Sequence, residues 1–185
     1  MAFDSSRYGP DVAAILAIDG DGQRPMPLAH GKPNETGLSA LRKYRSALLF
    51  PDSFAPEAAL SGLYLYFCGY DESHSISQDI ETVEGSFWHG IMHRQEPDAG
   101  NAGYWFRRVG QHAVFPQLRS AAAEIVQASK VRFPLKDQWD AFGFIDFCEQ
   151  ARKQPGSEEE RVAMAIQLAE WQLLFDYCAR SRSQG

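Results

Sequence analysis

The chain has few cysteines, and none of them stands in a pattern that binds metal or forms a disulfide framework. Cys68, Cys148 and Cys178 are far apart, and each is embedded in an apolar stretch such as YFCGY around Cys68. A free cysteine in such surroundings behaves as a small hydrophobic residue. The sequence therefore predicts neither a disulfide-rich secreted domain nor a zinc finger.

Long apolar runs are missing too, because no stretch approaches the roughly 20 residues that a membrane-spanning helix needs. The first ten residues, MAFDSSRYGP, carry an early acidic residue and no basic region leading into an apolar core. A secretory signal has that basic and apolar pattern. We therefore expect a cytoplasmic protein that has no membrane partner.

An excess of positive charge is also lacking, since 18 basic residues against 24 acidic ones give a formal charge of -6. Such a balance repels a phosphate backbone, and the adjacent basic pairs, Arg107 and Arg108 among them, are too small to form a nucleic-acid patch alone. We expect no nucleic-acid partner. The sequence also contains no phosphate-binding glycine loop, nucleophile elbow or Cys-His pairing, so no motif names a reaction class.

What the sequence does contain is helical periodicity. The stretches with helical spacing or start and stop signals are 36–48, 58–70, 86–96, 98–109, the alanine-rich PQLRSAAAEIVQAS, 136–153 and a long last helix after Ser157. The run at 11–18 is too short for periodicity to separate helix from strand, and helix is favoured; a strand is the alternative for LYLYF within 58–70. Six or seven helices with short connections predict an all-α bundle or orthogonal array.

One domain covering residues 1–185 is the expected organisation, because this length is ordinary for a single hydrophobic core. A turn-rich loop at 19–35 is predicted from its glycines and prolines, and a loop of this length is often functional, for example as a lid. Residues 71–85 are predicted to form a second loop, with Ser86 capping the next helix. The tail SRSQG is expected to fray.

The segment from Asp71 to His112 concentrates the residues that carry chemistry. It contains four of the five histidines and two of the four tryptophans, with seven carboxylates and three arginines. That density is unusual for plain scaffolding, so the segment is the predicted site.

Within it, His89, His93 and Glu96 follow the spacing H-x3-H-x2-E, which places them on one arc of a helix beside the core stripe. Zinc, iron or manganese could use these three ligands together with His74 or a carboxylate from the preceding loop. The candidate loop carboxylates are Glu72 and Asp79. Alternatively the two histidines simply form hydrogen bonds at the core boundary, and their order does not match the H-E-x-x-H zinc-protease helix.

The next helix carries an amide, a phenol, an indole and a guanidinium on one face. These side chains are Asn101, Tyr104, Trp105 and Arg108. Such a set suits a small polar or anionic ligand with a flat part. The competing interpretation is that the aromatic residues belong to the core and that Arg108 pairs with Glu96 or Asp98.

Three functions remain open on these residues. The first is an enzyme, a metal-dependent or acid-base hydrolase using His89, His93 and Glu96. The second is a binding module for a small polar or anionic molecule. The third is a structural or protein-interaction domain whose polar residues form a buried network. A divalent transition metal is the cofactor considered, and a homo-oligomer is possible because the last helix is apolar on several sides.

The segment SFWHGIMHRQEPDAGNAGYWFRRVGQHAVFPQL resembles one found in uncharacterised bacterial proteins. The quoted segment occupies residues 86–118. It implies that the segment is a family signature, and it implies no activity or catalytic residue.

Overall fold

The computed structural model describes residues 3–181, and within this range the chain forms ten α-helices, two short 3-10 helices and no β-strand. The α-helices are α1 (Pro10–Leu16), α2 (Glu35–Leu41), α3 (Ser46–Leu49), α4 (Pro56–Tyr66), α5 (Tyr70–Gln78), α6 (Val83–Gln95), α7 (Ala99–Val109), α8 (Phe115–Gln127), α9 (Ala141–Ala151) and α10 (Glu158–Ala179). The 3-10 helices are Ser5–Tyr8 and Ala17–Gly22. The predicted all-α class is confirmed. Of the tail expected to fray, all but Ser181 lies outside the described residues.

Helix α6 lies at the centre of the fold and packs against α4, α5 and α7. Every residue from Glu84 to Gln95 is buried, polar ones included. The sequence pattern placed His89 and His93 at the border between core and solvent, and this was wrong: their side chains are buried at 2% and 9% exposure. Periodicity misses this because α6 is enclosed on several sides and has no solvent-facing stripe to reveal its orientation.

Helix α5 corrects the prediction of a loop at 71–85. Its buried residues Tyr70, Ser73 and Ser77 recur at helical spacing, but two of them are serines, so hydrophobicity does not mark the face. The hydroxyl of Ser61 on α4 donates to the carbonyl oxygen of Ser73 at 3.1 Å, which satisfies polar groups inside this packing. Helix α6 accordingly begins at Val83, three residues before the predicted Ser86 cap.

Two other helix boundaries differ from the predicted ones, and each difference has a local cause. The helix predicted from residue 136 begins at Ala141, because the Asp140 carboxylate accepts hydrogen bonds from the backbone N–H groups of Phe142 and Gly143. The single helix predicted at 36–48 is divided into α2 and α3, and Asn34, rather than Thr36, caps α2. The predicted helix at LYLYF is confirmed, since α4 runs through to Tyr66.

The chain between residues 23 and 34 has no regular helix, but it is not detached from the protein. Met26 and Leu28 are 0% and 3% exposed and belong to the main core. Their burial holds this part of the predicted 19–35 loop, called the strap below, against the helices. The strap is therefore part of the packed structure.

Helix α10 packs against α4, α8 and α9 of the same chain. Trp171 is fully buried, and its indole N–H donates to the carbonyl oxygen of Gly62 on α4 at 2.7 Å. The apolar residues on several sides of α10 thus find partners within the fold. No helix within residues 3–181 combines the length and apolar character needed to cross a bilayer.

Candidate metal centre

Three histidines converge where α5 crosses α6. His74 comes from α5, and His89 and His93 lie one turn apart on α6. One nitrogen from each ring lies within 4.8 Å of the corresponding nitrogens of the other two. We call these three residues the histidine triad. His74 is partly exposed and marks the solvent side of the triad, while His89 and His93 are only 2% and 9% exposed.

Two of the three rings are supported from behind by an oxygen. The Nδ1 atom of His89 lies 3.3 Å from the hydroxyl oxygen of Ser77, and the Nδ1 atom of His93 lies 3.0 Å from a carboxylate oxygen of Glu96. The second contact has ion-pair distance but not the alignment of a hydrogen bond, since Nδ1 of His93 has no hydrogen-bond partner among the described residues. Both contacts use Nδ1, so Nε2 of each ring is left for another partner.

The buried rings are held in the neutral form. Burial, together with the smaller effects of the neighbouring His93 and His74, lowers the pKa of His89 to about 3. Burial also lowers the pKa of His93, against the opposing effect of Glu96 and Asp98. Because a neutral imidazole has a free lone pair on one nitrogen, both rings can act as ligands at neutral pH.

Glu96 joins the triad to a fourth histidine that the sequence analysis did not include. Its other carboxylate oxygen lies 3.5 Å from Nε2 of His30, whose ring stacks on Tyr70 at a centroid distance of 4.3 Å. The Tyr70 hydroxyl accepts a hydrogen bond from the backbone N–H of Gly31. No sequence signal identifies His30, because it lies in the strap and is brought to α6 only by tertiary packing.

Side-chain amides fix the strap beside the end of α6. Gln95 donates to the carbonyl oxygen of Pro27 at 3.0 Å, and Gln167 of α10 donates to the same oxygen at 2.8 Å. The strap is therefore anchored beside the end of α6 by buried groups.

The opposite end of the site is formed by α7. The indole of Trp105 stacks on the His89 ring with centroids 4.0 Å apart and an interplanar angle of 25°. The guanidinium of Arg108 lies 5.2 Å from the centroid of the Trp105 ring, and Tyr104 meets the same indole edge-on at 5.3 Å. Tyr104 is 46% exposed. Three of the four predicted ligand-binding residues of α7 thus lie together beside the triad.

The remaining predicted site residues have other neighbours. Glu72 forms an ion pair with Arg42 at 2.6 Å, and Asp79 is an exposed residue at the end of α5. Asn101 donates its amide to the Asp98 carboxylate at 2.7 Å. Helical geometry explains the separation of Glu72 from the triad, because two residues along a helix rotate its side chain away from the face that carries His74.

A second buried polar group lies next to the triad on α6. Arg94 forms an ion pair with Glu170 of α10, and both side chains are 0% exposed. Arg94 also donates to the amide oxygen of Gln167 at 3.2 Å, while its guanidinium stacks over Phe144 at 4.5 Å. Since every strong donor here meets an acceptor or an aromatic face, this group reads as a structural connection between α6, α10 and the strap.

A surface cavity of about 500 Å³ lies elsewhere and shares no residue with the triad. Its walls are Asp19, Arg24, Lys32, Pro33, Asn34, Glu35 and Cys68. The walls carry two positive and two negative side chains, so the cavity has no charge preference that would mark it as an anion or cation site. The chemistry-bearing residues are at the triad and not in this cavity.

Comparison of the chain with protein-family models gives no match. No curated protein and no solved structure shows significant similarity to it either.

Proposed function

We propose that the protein binds one divalent transition metal ion through His74, His89 and His93 and uses it to hydrolyse a small polar or anionic molecule. The observation that carries the proposal is the convergence of three imidazoles, two of which have an oxygen behind Nδ1. Metal-binding histidines almost always place their second nitrogen against a carboxylate, carbonyl or similar oxygen, which fixes the ring and its tautomer. In this proposal Nε2 of His89 and of His93 faces the ion.

The distances need only a small adjustment. A Zn–N bond of about 2.1 Å puts the nitrogens of a tetrahedral site about 3.4 Å apart, so the rings must approach one another by on the order of 1 Å. Rotation of the partly exposed His74 side chain supplies part of that movement. Three imidazoles without a thiolate suit zinc, iron, copper or nickel, in keeping with the transition metal expected from the sequence.

Three protein ligands leave a coordination position for water, which distinguishes a catalytic from a closed structural zinc site. A bound metal ion supplies a nucleophile there by lowering the pKa of that water towards neutrality. The residues of the chain then have simple roles: Glu96 and Ser77 hold the rings, and Trp105 shields His89 from solvent.

A metal-dependent hydrolase is favoured over one that works by acid-base catalysis alone. A general base works best when its pKa lies near the operating pH. Because burial lowers the pKa of His89 to about 3, this ring is a weak base near neutrality but an available metal ligand.

The test is elemental analysis and zinc titration of untagged protein, compared with single substitutions of each triad histidine by glutamine. We expect near-stoichiometric metal in the unsubstituted protein and its loss in each triad variant. His112→Gln is the matched control, because His112 is also buried but contacts Glu84 at the other end of α6. Metal-free protein that takes up no zinc, or triad variants that bind as well as the control, would contradict the proposal.

Glu96→Gln tests the supporting role of the carboxylate. We expect zinc affinity to fall by about 10- to 100-fold, the usual effect of losing such a partner. Asp98→Asn is the control, since Asp98 is two residues away and caps α7. Equal affinities in the two variants would remove Glu96 from the site.

The alternative function is a non-catalytic structural or interaction domain. The buried group of Arg94, Glu170 and Gln167 favours it, because this group already links α6, α10 and the strap. Under this alternative the triad variants lose stability without any change in metal content.

A further inference from the structure

Arg108 is an exposed arginine on α7, and it has no acidic partner. Within residues 3–181 no carboxylate oxygen lies within 4.0 Å of its guanidinium, whereas Arg7, Arg24, Arg42, Arg94 and Arg152 all form ion pairs. Arg45, Arg107, Arg119, Arg132, Arg161 and Arg180 are also unpaired by the same measure. Arg108 differs from them by its place beside Trp105 and His89. The sequence interpretation that paired Arg108 with Glu96 or Asp98 is not what the structure shows, since Glu96 contacts His93 and His30 while Asp98 caps α7.

The position of Arg108 connects it to the histidine triad. Its guanidinium lies 5.2 Å from the Trp105 ring, and that ring stacks on His89 at 4.0 Å. One aromatic side chain therefore separates Arg108 from a proposed metal ligand. Contact with an indole positions a guanidinium while leaving its N–H donors available, and these donors match the two oxygens of a carboxylate or phosphate.

The charges around the proposed metal centre also favour the binding of an anion. Three neutral imidazoles do not cancel the charge of a divalent ion, and Arg108 adds a further positive charge on the α7 side. The acidic residue nearest to the triad, Glu96, is engaged at the opposite end, between His93 and His30. A molecule reaching the triad along α7 thus meets positive charge and an aromatic surface.

We propose that Arg108, supported by Trp105, is an oxyanion-binding subsite that holds a carboxylate or phosphate group of the substrate beside the triad. The inference rests on the proposed metal centre and adds the substrate class, a small oxyanion. Arg108 recognises the anionic group, and the reacting bond of the same molecule reaches the metal side of His89.

The test uses protein loaded with cobalt(II), whose visible absorption reports the metal environment. Inorganic phosphate and benzoate are titrated separately, and calorimetry gives their dissociation constants. We expect at least one of the two probes to bind, and Arg108→Gln to weaken its binding by about 10- to 100-fold, because hydrogen bonds to charged groups are lost. Binding of phosphate alone assigns a phosphate group to the substrate, and binding of benzoate alone assigns a carboxylate.

Arg107→Gln is the matched control, since Arg107 is the adjacent exposed and unpaired arginine. It lies two residues after Trp105 and therefore on another face of α7. Its anion affinity should stay within about twofold of the unsubstituted protein, and cobalt content should be equal in all three proteins. Failure of both probes to bind, or equal weakening in the two variants, overturns the subsite while leaving the metal centre intact. Failure of the unsubstituted protein to take up cobalt overturns the proposed function and this inference with it.

Discussion

Glu84 is a carboxylate in the first turn of α6, and its side chain is only 10% exposed. One oxygen lies 3.7 Å from Nε2 of His112, a distance for electrostatic attraction and not for a direct hydrogen bond. The Nδ1 atom of His112 accepts a hydrogen bond from the backbone N–H of Val114, so in the neutral ring Nε2 bears the proton that faces Glu84. His112, with help from Thr82, lowers the pKa of Glu84 from 4.5 to about 2.

This shift predicts a pH dependence of folding. The folded protein binds the Glu84 proton more weakly than the unfolded chain, so the stabilisation from Glu84 is fully present above pH 4.5 and is lost as the pH falls towards 2. We expect the difference in unfolding free energy between the unsubstituted protein and Glu84→Gln to shrink by about 1–2 kcal/mol between about pH 5 and about pH 3. Urea unfolding of both proteins with a chelator present measures it.

Taking the difference between the two proteins cancels the titrating groups that do not interact with Glu84, including the histidine triad. A difference that stays constant over this range would show that Glu84 titrates normally in the folded protein.

The crossing of α6 and α7 depends on a glycine. A Cβ atom placed on Gly90 would lie 2.9 Å from a ring carbon of Phe106, which is buried at 2% exposure. Because the two helices approach closely here, the preceding residue of each helix, His89 or Trp105, can stack on the other. Gly103 on α7 offers a contrast, because its Cβ would meet nothing closer than the Arg107 side chain at 3.6 Å.

Gly90→Ala and Gly103→Ala therefore form a matched pair. We expect Gly90→Ala to lower the free energy of unfolding by about 1–3 kcal/mol, because the added methyl group overpacks the interface. Gly103→Ala should leave it unchanged or raise it by up to about 1 kcal/mol, since alanine is the better helix former and the space is free. Thermal or urea unfolding compares them, and equal effects would mean that helix propensity and not packing governs both sites.

Prediction of secondary structure from the sequence was correct for helices that have strong local signals. The helix predicted at 98–109 forms as α7, where the Asp98 carboxylate accepts the backbone N–H of Asn101 at 3.0 Å and caps the helix. Prediction failed for α5, whose buried face contains Ser73 and Ser77 in place of apolar residues. Polar residues that satisfy one another inside the protein leave no hydrophobic period, so only the packed structure reveals such a helix.

Arg94 and Glu170 are 76 residues apart in sequence and connect the central helix to α10. Both are fully buried, and burial raises the pKa of the Glu170 carboxyl while Arg94 opposes that rise. Gln167 extends the connection from Arg94 to the strap through the carbonyl oxygen of Pro27. One buried ion pair and its amide neighbour thus connect α6, α10 and the strap.

Removing one partner of this pair should destabilise the protein far more than replacing both. We expect Arg94→Met to cost about 3–5 kcal/mol because it leaves the Glu170 carboxyl buried without its partner. The double variant Arg94→Met/Glu170→Leu should recover most of that loss, since apolar side chains of similar size pack without a desolvation cost. A double-mutant cycle by chemical denaturation measures the coupling, and additive effects would show that the two residues act independently.

The sequence by itself determined the all-α class, the pairing of His89 with His93 one turn apart on α6, and the shared face of Tyr104, Trp105 and Arg108 on α7. These features follow from the 3.6-residue period and from local capping, which depend on residues near one another in the chain. Tertiary structure alone decided that His74 joins the two histidines from a helix and that His30 reaches Glu96 from the strap. The physical reason is that periodicity shows only which residues share a face of one helix. Which face of a neighbouring helix or of the strap packs against α6 depends on contacts between residues far apart in the sequence.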